Sequence, residues 1–405
     1  MADRVVIVGA GQAGFALAAK LRALSDLRPI TIIGAEDVLP YQRPPLSKKY
    51  LLGDMSFDRL ELRPAQWFAD NNVELRLSTL VEEIDRAAQT VRMQDGTVLA
   101  YDRLVLATGA APRTLPAAIG GELDGVLTVR DKRDADALAR ALQPGKRLLV
   151  IGGGYIGLEA AAVARRLGLE VTLIEMADRI LKRVASAETA AIMRDLHRTN
   201  GVVIRESTGL SRLNGTDGTV SSATLSDGST LAVDAVVVGI GVSPNDRLAR
   251  ESGLDVGNGI VVDALTRTSD PQIHAIGDCA LLPFEGELVR LESVQNAVDQ
   301  GEAAAMVIAG EDKAYRPRPW FWSDQFDAKL QIAGLNAGYD ETVARTGARP
   351  GSHSVWYFRQ GRFIAVDAVN DAKAYVTGKK LLDLGLSPDR SLLRDAATDL
   401  KSFLP

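Results

Sequence analysis

The feature that most constrains this chain is a succession of segments that occurs twice. Arg4-Val5-Val6-Ile7-Val8, a short apolar run, leads into Gly9-Ala10-Gly11-Gln12-Ala13-Gly14 and a helix-period segment over residues 15–24. A second apolar run, Ile30-Thr31-Ile32-Ile33, ends just before Glu36 and Asp37. The order begins again at Arg147-Leu148-Leu149-Val150-Ile151, with Gly152-Gly153-Gly154-Tyr155-Ile156-Gly157, a helical stretch to residue 167, Val171-Thr172-Leu173-Ile174 and Glu175. Each copy reads as strand, glycine turn, helix, strand and acid, the spacing of a dinucleotide-binding βαβ unit.

The glycines have physical work in such a unit. They permit the tight turn, let the backbone approach a pyrophosphate, and let the helix pack closely on the strand, while the helix N-terminus offers unpaired N–H groups to the anion. One such turn can be purely structural; two complete units imply two dinucleotide sites on separate subdomains. Because hydride chemistry belongs to cofactors that the protein orients, the pair suggests a tightly held flavin and a mobile nicotinamide. Glu36 falls roughly where a carboxylate binds an adenosine ribose hydroxyl, and Glu175 does so in the second unit. Met176 and Ala177 follow Glu175, so no adjacent arginine holds a 2′-phosphate and NADH is favoured over NADPH, with Arg179 the nearest cation.

At 405 residues the chain has the length of two or three domains. Its single cysteine, Cys279, cannot form an intramolecular disulfide and falls short of an iron–sulfur ligand set, so any redox centre is an organic cofactor. The three histidines, His197, His274 and His353, are far apart, show no metal-ligand spacing and read as packed or solvated residues; no metal is expected. A net charge of −5 without single-sign blocks gives no support to nucleic-acid binding. No apolar run reaches the ~18 residues of a membrane span, and Met1-Ala2-Asp3-Arg4 leads directly into the first strand. A cytoplasmic protein without a targeting segment is expected.

Further motifs make a family resemblance specific along essentially the whole chain: Arg43-Pro44-Pro45-Leu46-Ser47-Lys48, Leu104-Val105-Leu106-Ala107-Thr108-Gly109, Gly152 to Glu159, Ile276-Gly277-Asp278, and Trp320-Phe321-Trp322-Ser323-Asp324-Gln325. With the first glycine turn, these resemble the FAD- and NADH-dependent ferredoxin reductases typified by putidaredoxin reductase. The resemblance implies an α/β fold of two Rossmann-like domains on a glutathione-reductase-like plan, plus a small α+β C-terminal domain. The FAD-binding domain would be discontinuous, over 1–115 and 245–318, with 116–244 binding NADH and 319–405 forming the last domain. Pro112, Pro116, Ser243-Pro244 and the Tyr315–Pro319 stretch punctuate these divisions. The C-terminal part shows alternation near 329–335 and 352–369, a hairpin turn at Gln360-Gly361 and a helical pattern over 371–384.

The resemblance also implies roles. Lys48 would lie near flavin N5 and pair with Glu159, which would face the nicotinamide, and Trp322 would pack near the isoalloxazine. Gly9, Gly11, Ala13, Gly14, Glu36, Arg43, Pro44, Val81, Thr108, Gly109, Arg130, Asp278, Val294 and Gln295 would serve FAD; Gly152, Gly154, Tyr155, Ile156, Gly157, Glu175 and Gly241 would serve NADH. From the residues alone, the two prolines suggest a helix beginning near Ser47, Asp278 could equally cap a following helix, and Cys279 reads as a small core filler. The implied activity is NADH:ferredoxin oxidoreduction, delivering single electrons to a [2Fe–2S] ferredoxin that supplies a haem-thiolate mono-oxygenase or another oxygenase. Lys49, Arg316 and Arg318 are candidates for steering an acidic carrier. A disulfide reductase would need a cysteine pair and an NADH oxidase a cysteine where Arg43–Lys48 has prolines. A rubredoxin reductase and a flavoprotein redox switch resembling apoptosis-inducing factor remain alternatives.

Overall fold

The structure, a computed structural model, describes residues 3–405. Met1 and Ala2, on which the targeting-segment expectation partly rests, lie outside the described residues. The chain divides into two compact units. The first comprises the residues up to Gln42, Phe57–Ala111 and Val242–Pro319; the second comprises Arg43–Ser56, Pro112–Gly241 and Trp320–Pro405.

In the first unit, Val5–Val8 is buried at every residue, as the middle strand of a parallel sheet covered on both faces must be. It pairs in parallel with Ile30–Ile33 and Arg103–Leu106, and Val73–Arg76 and Ile273–Ala275 complete the sheet at its edges. The helix Gln12–Ala23 starts directly after the glycine turn and packs against the helix Val294–Ile308. Their approach is close because residue 301 is glycine: a Cβ there would lie 2.7 Å from the Ala13 carbonyl oxygen.

The second unit repeats the plan. Arg147–Ile151 runs parallel between Glu170–Ile174 and Ala235–Val238, with Val203–Arg205 and Val126–Leu127 outside them, and the helix Tyr155–Arg166 follows the second glycine turn. The C-terminal residues form a five-stranded antiparallel sheet in the order Trp320–Gln325, Ala328–Gly334, Arg362–Val369, His353–Arg359 and Glu341–Thr346. The expected hairpin turns at Gln360 and Gly361, both at positive φ as a two-residue hairpin loop favours, and Asp371 caps the helix Ala372–Leu384 through Ala374 N–H. Leu330 and Val369 of this sheet share one apolar cluster with Leu51, Leu138, Leu158 and Leu173.

Two local expectations are corrected. Pro44–Ser47 is a single 3₁₀ turn that ends where a helix was expected to begin; the Lys48 N–H bonds the Pro45 carbonyl and its backbone has left helical angles. The prolines suit the first positions of the turn, where no N–H donor is needed, and the chain beyond it continues in irregular turns, with Tyr50 N–H bonding the Pro45 carbonyl and Leu52 N–H that of Lys48. Gly277–Cys279 is likewise one 3₁₀ turn followed by the strand Ala280–Phe284, so Asp278 has no following helix to cap. Among the described residues no helix is long and apolar enough to cross a membrane.

Candidate functional site

Each glycine turn is built by a contact that only glycine allows. A Cβ on Gly14 would lie 2.2 Å from the Gly9 carbonyl oxygen, and one on Gly157 would lie 2.1 Å from that of Gly152. Gly11 and Gly154, the residues that cap the two helices, face open space: a Cβ on either meets nothing within 4 Å. Neither helix start has a side-chain cap, so its first N–H groups look toward that space. These two cradles fit the pyrophosphate of a bound dinucleotide.

Around the first cradle the fold gathers several expected residues. Gly277 lies against Ala13 and donates its N–H to Gln300 Oε1, which places Asp278 beside the start of the helix that carries Ala13. Ser293 caps the helix Val294–Ile308 through Asn296 N–H, so Val294 and Gln295 stand at its first turn. Glu36 accepts from the Tyr41 hydroxyl at 2.6 Å, and its carbonyl accepts from Ser78 N–H, beside the buried Val81. Thr108 and Gly109 are tied to Asn245 by three hydrogen bonds. Arg43, Pro44, Lys48, Arg130 and Trp322 belong to the other unit, where Arg43 donates to the Arg130 carbonyl oxygen at 2.9 Å. Cys279 is wholly buried, its sulfur against the Leu106 and Ile276 carbonyls, and burial pushes its thiol pKa up.

At the second cradle Glu175 is committed on both oxygens, accepting from Gly153 N–H at 2.7 Å and from Ala177 N–H at 2.8 Å. Arg179 donates to the carbonyls of Ile180, Ala185 and Ser186, which removes it as a ready partner for a 2′-phosphate. Gly241 has φ +99° and accepts from Arg113 N–H. Ile156 is exposed at the helix start, an apolar side chain open to solvent.

The helix Tyr155–Arg166 then carries the charged centre. Tyr155 and Glu159, one turn apart, face the strand Trp320–Gln325, where Phe321 stacks on Tyr155 at 4.9 Å and the Ser323 hydroxyl donates to Glu159 Oε1 at 2.6 Å. Lys48 Nζ lies 2.6 Å from Glu159 Oε2, which also accepts from Ser47 at 3.0 Å. Glu159 is 2% exposed and Lys48 17%, so removing either partner would strand a poorly hydrated charge, typically at about 3–5 kcal/mol. Trp322, by strand alternation, points to the opposite face from Ser323 and stacks with Trp320 at 5.5 Å.

Sequence reasoning missed Ser47, Ser323, Gln325 and the bonded role of His197. The signal that could have found the strand pair is the alternation Phe321, Ser323, Gln325 inside an aromatic run. A further unforeseen cluster surrounds Asp367, whose carboxylate accepts from Tyr357 and Thr189 while its Oδ1 is buried without a partner. Burial pushes its pKa to about 6. An unfolded Asp ionises near 4, so this group weakens the fold as pH rises from about 4 to 6 and costs about 3 kcal/mol above that window. Asp367→Asn is therefore expected to raise the denaturant midpoint at pH 7.5 and to raise it far less at pH 4.5, where the native carboxyl is already protonated; an equal shift at both would contradict the titration.

The comparisons agree with this architecture. The pyridine nucleotide-disulphide oxidoreductase family model matches residues 3–301 and the reductase C-terminal family model matches 320–404. The chain belongs to the pyridine nucleotide-disulphide oxidoreductase family. Within it, the chain is 45% identical over 401 residues to rhodocoxin reductase of Rhodococcus erythropolis, covering 98% of this chain and 93% of that protein. Its fold matches putidaredoxin reductase in a covalent complex with putidaredoxin at TM-score 0.96 and 40% identity, over 99% and 98% of the two chains. The ferredoxin reductase for the CYP199A2 system from Rhodopseudomonas palustris matches at TM-score 0.95 and 42% identity, over 99% of each.

Proposed function

We propose that this protein is an NADH:ferredoxin oxidoreductase, a cytoplasmic FAD enzyme that takes a hydride from NADH and gives single electrons to a [2Fe–2S] ferredoxin. The ferredoxin in turn supplies a haem-thiolate mono-oxygenase or another oxygenase. One observation carries this reading: two complete dinucleotide cradles stand in a chain whose only cysteine is 0% exposed and held as a thiol. The family plan is present without a sulfur pair to take electrons onward, so they leave to an external carrier.

FAD, when bound, supplies the change from two-electron to one-electron chemistry. We assign its binding to residues 1–115 and 245–318, through Gly9, Gly11, Ala13, Gly14, Glu36, Val81, Thr108, Gly109, Asp278, Val294 and Gln295. NADH is assigned to 116–244, through Gly152, Gly154, Tyr155, Ile156, Gly157, Glu175 and Gly241, with 319–405 as the C-terminal domain. Each Glu175 oxygen accepts one backbone N–H and keeps a second lone pair, which is assigned to a ribose hydroxyl, and the commitment of Arg179 to backbone carbonyls supports NADH over NADPH. Lys48, Glu159 and Trp322 are assigned to the hydride-transfer chemistry, which depends on alignment more than on acid–base groups. Lys48 holds Glu159 as an acceptor at a fixed place.

Cytochrome c reduction by the purified protein with NADH tests the proposal. It is expected to be fast only when a [2Fe–2S] ferredoxin is added, and slower with NADPH than with NADH. A rate that responds to rubredoxin and ignores ferredoxin, or a redox-dependent change in sedimentation without carrier turnover, would count against it.

A further inference from the structure

Behind Glu159 the hydrogen bonds continue in one direction. Ser323 donates to Glu159 Oε1 at 2.6 Å, Gln325 Nε2 donates to Ser323 Oγ at 2.9 Å, and Gln325 Oε1 lies 2.8 Å from His197 Nε2. All three side chains behind the carboxylate are buried, at 0% for Ser323, 1% for Gln325 and 0% for His197. An amide oxygen only accepts, so His197 carries its proton on Nε2. The other ring nitrogen, Nδ1, is buried without a partner, and a proton there would become an unanswered donor. Burial also keeps the ring neutral, lowering its pKa to about 4.

We infer that His197, Gln325 and Ser323 are positioning residues for Glu159: a one-way chain of donors, anchored by a single histidine tautomer, that fixes the carboxylate as an acceptor opposite Lys48. A proton on Oε1 would meet the Ser323 proton head-on. To accommodate it, Ser323 would have to turn toward Gln325, the amide would have to flip, and His197 would have to move its proton to the buried Nδ1. Lys48 and Ser47 donate to the other oxygen, so every donor around Glu159 acts in the same sense. The role in cofactor alignment rests on the proposed reading that Glu159 serves the nicotinamide; the chain itself does not.

The test is the side-chain ¹⁵N spectrum of the three histidines in the holoenzyme without NADH, assigned by single His→Gln variants. His197 is expected as the Nε2–H tautomer throughout pH 6–8. In Glu159→Gln, the amide oxygen turns to the two donors on the Lys48 side and its NH₂ faces Ser323. The chain then reverses, and the His197 pattern shifts toward Nδ1–H across three hydrogen bonds. With Ser323→Ala added, the spectrum is expected to ignore residue 159. An Nδ1–H tautomer in the wild type, or an unchanged His197 pattern in Glu159→Gln, would overturn the inference. In steady state, Ser323→Ala is expected to raise KM for NADH several-fold at unchanged flavin content, with Ser323→Thr restoring it. A coupled spectrum with an unaltered KM would keep the chain and remove the nicotinamide assignment of Glu159.

Discussion

Replacing Gly157 by alanine is expected to give a yellow protein that NADH reduces at least about a hundredfold more slowly than wild type. The new Cβ would lie 2.1 Å from the Gly152 carbonyl oxygen and 3.3 Å from Val150 Cγ1, so the turn must open before the helix can start. A displacement of about 1 Å at a cofactor cradle is enough for losses of about a hundredfold in a reaction governed by alignment. The companion change, Gly14→Ala, puts its Cβ 2.2 Å from the Gly9 carbonyl oxygen and is expected to give a colourless protein. Together the two variants separate the cradles: one loses the flavin, the other keeps it and loses the reductant. Absorbance of each purified variant and rapid-mixing reduction by NADH measure this directly. A Gly157→Ala protein reduced at the wild-type rate would show that the second turn does not hold the nicotinamide cofactor.

Acid is expected to unfold the protein by charging two buried histidines. Burial lowers the pKa of His197 to about 4, and that of His274 to about 4 with help from Arg267 and Arg103. In the unfolded chain both take protons near pH 6.5, so their contribution is fully present above that value and is lost as pH falls toward 4. Each loss amounts to about 3 kcal/mol, a large share of the ~5–15 kcal/mol typical of a folded domain. Asp367 acts in the opposite sense, its penalty being relieved as pH falls from about 6 to 4, and offsets about one histidine. His197→Gln, which keeps a donor for Gln325 and removes the titration, is expected to move the midpoint of acid unfolding downward. Adding Asp367→Asn to the wild type steepens the acid loss. Circular dichroism from pH 7 to 4 reads both, and an acid midpoint indifferent to residue 197 would contradict the assignment.

The parts of the fold that were legible are those where one local pattern permits one structure. Val5–Val8 and Arg147–Ile151 are apolar throughout and end in glycine turns, so each announces the centre of a parallel sheet. The edge strand Glu341–Thr346, polar at four of its six positions, carries too weak an apolar signal to stand out, and the aromatic run at 320–322 hides the alternation of the strand it opens. The ion pair between Lys48 and Glu159 came from family resemblance, since no local spacing joins residues 111 apart. Its supporting chain was invisible for the same reason: His197 meets Gln325 only because the helix Ala187–Thr199 and the C-terminal sheet pack in one unit.

Anaerobic titration with NADH, followed by flavin absorbance, tests the central claim most directly. The account predicts a yellow protein that bleaches fully with one equivalent of NADH per flavin and takes up no more, because Cys279 has no sulfur partner and is wholly buried. A colourless protein, a flavin that NADH leaves unbleached, or uptake of a second equivalent would contradict it.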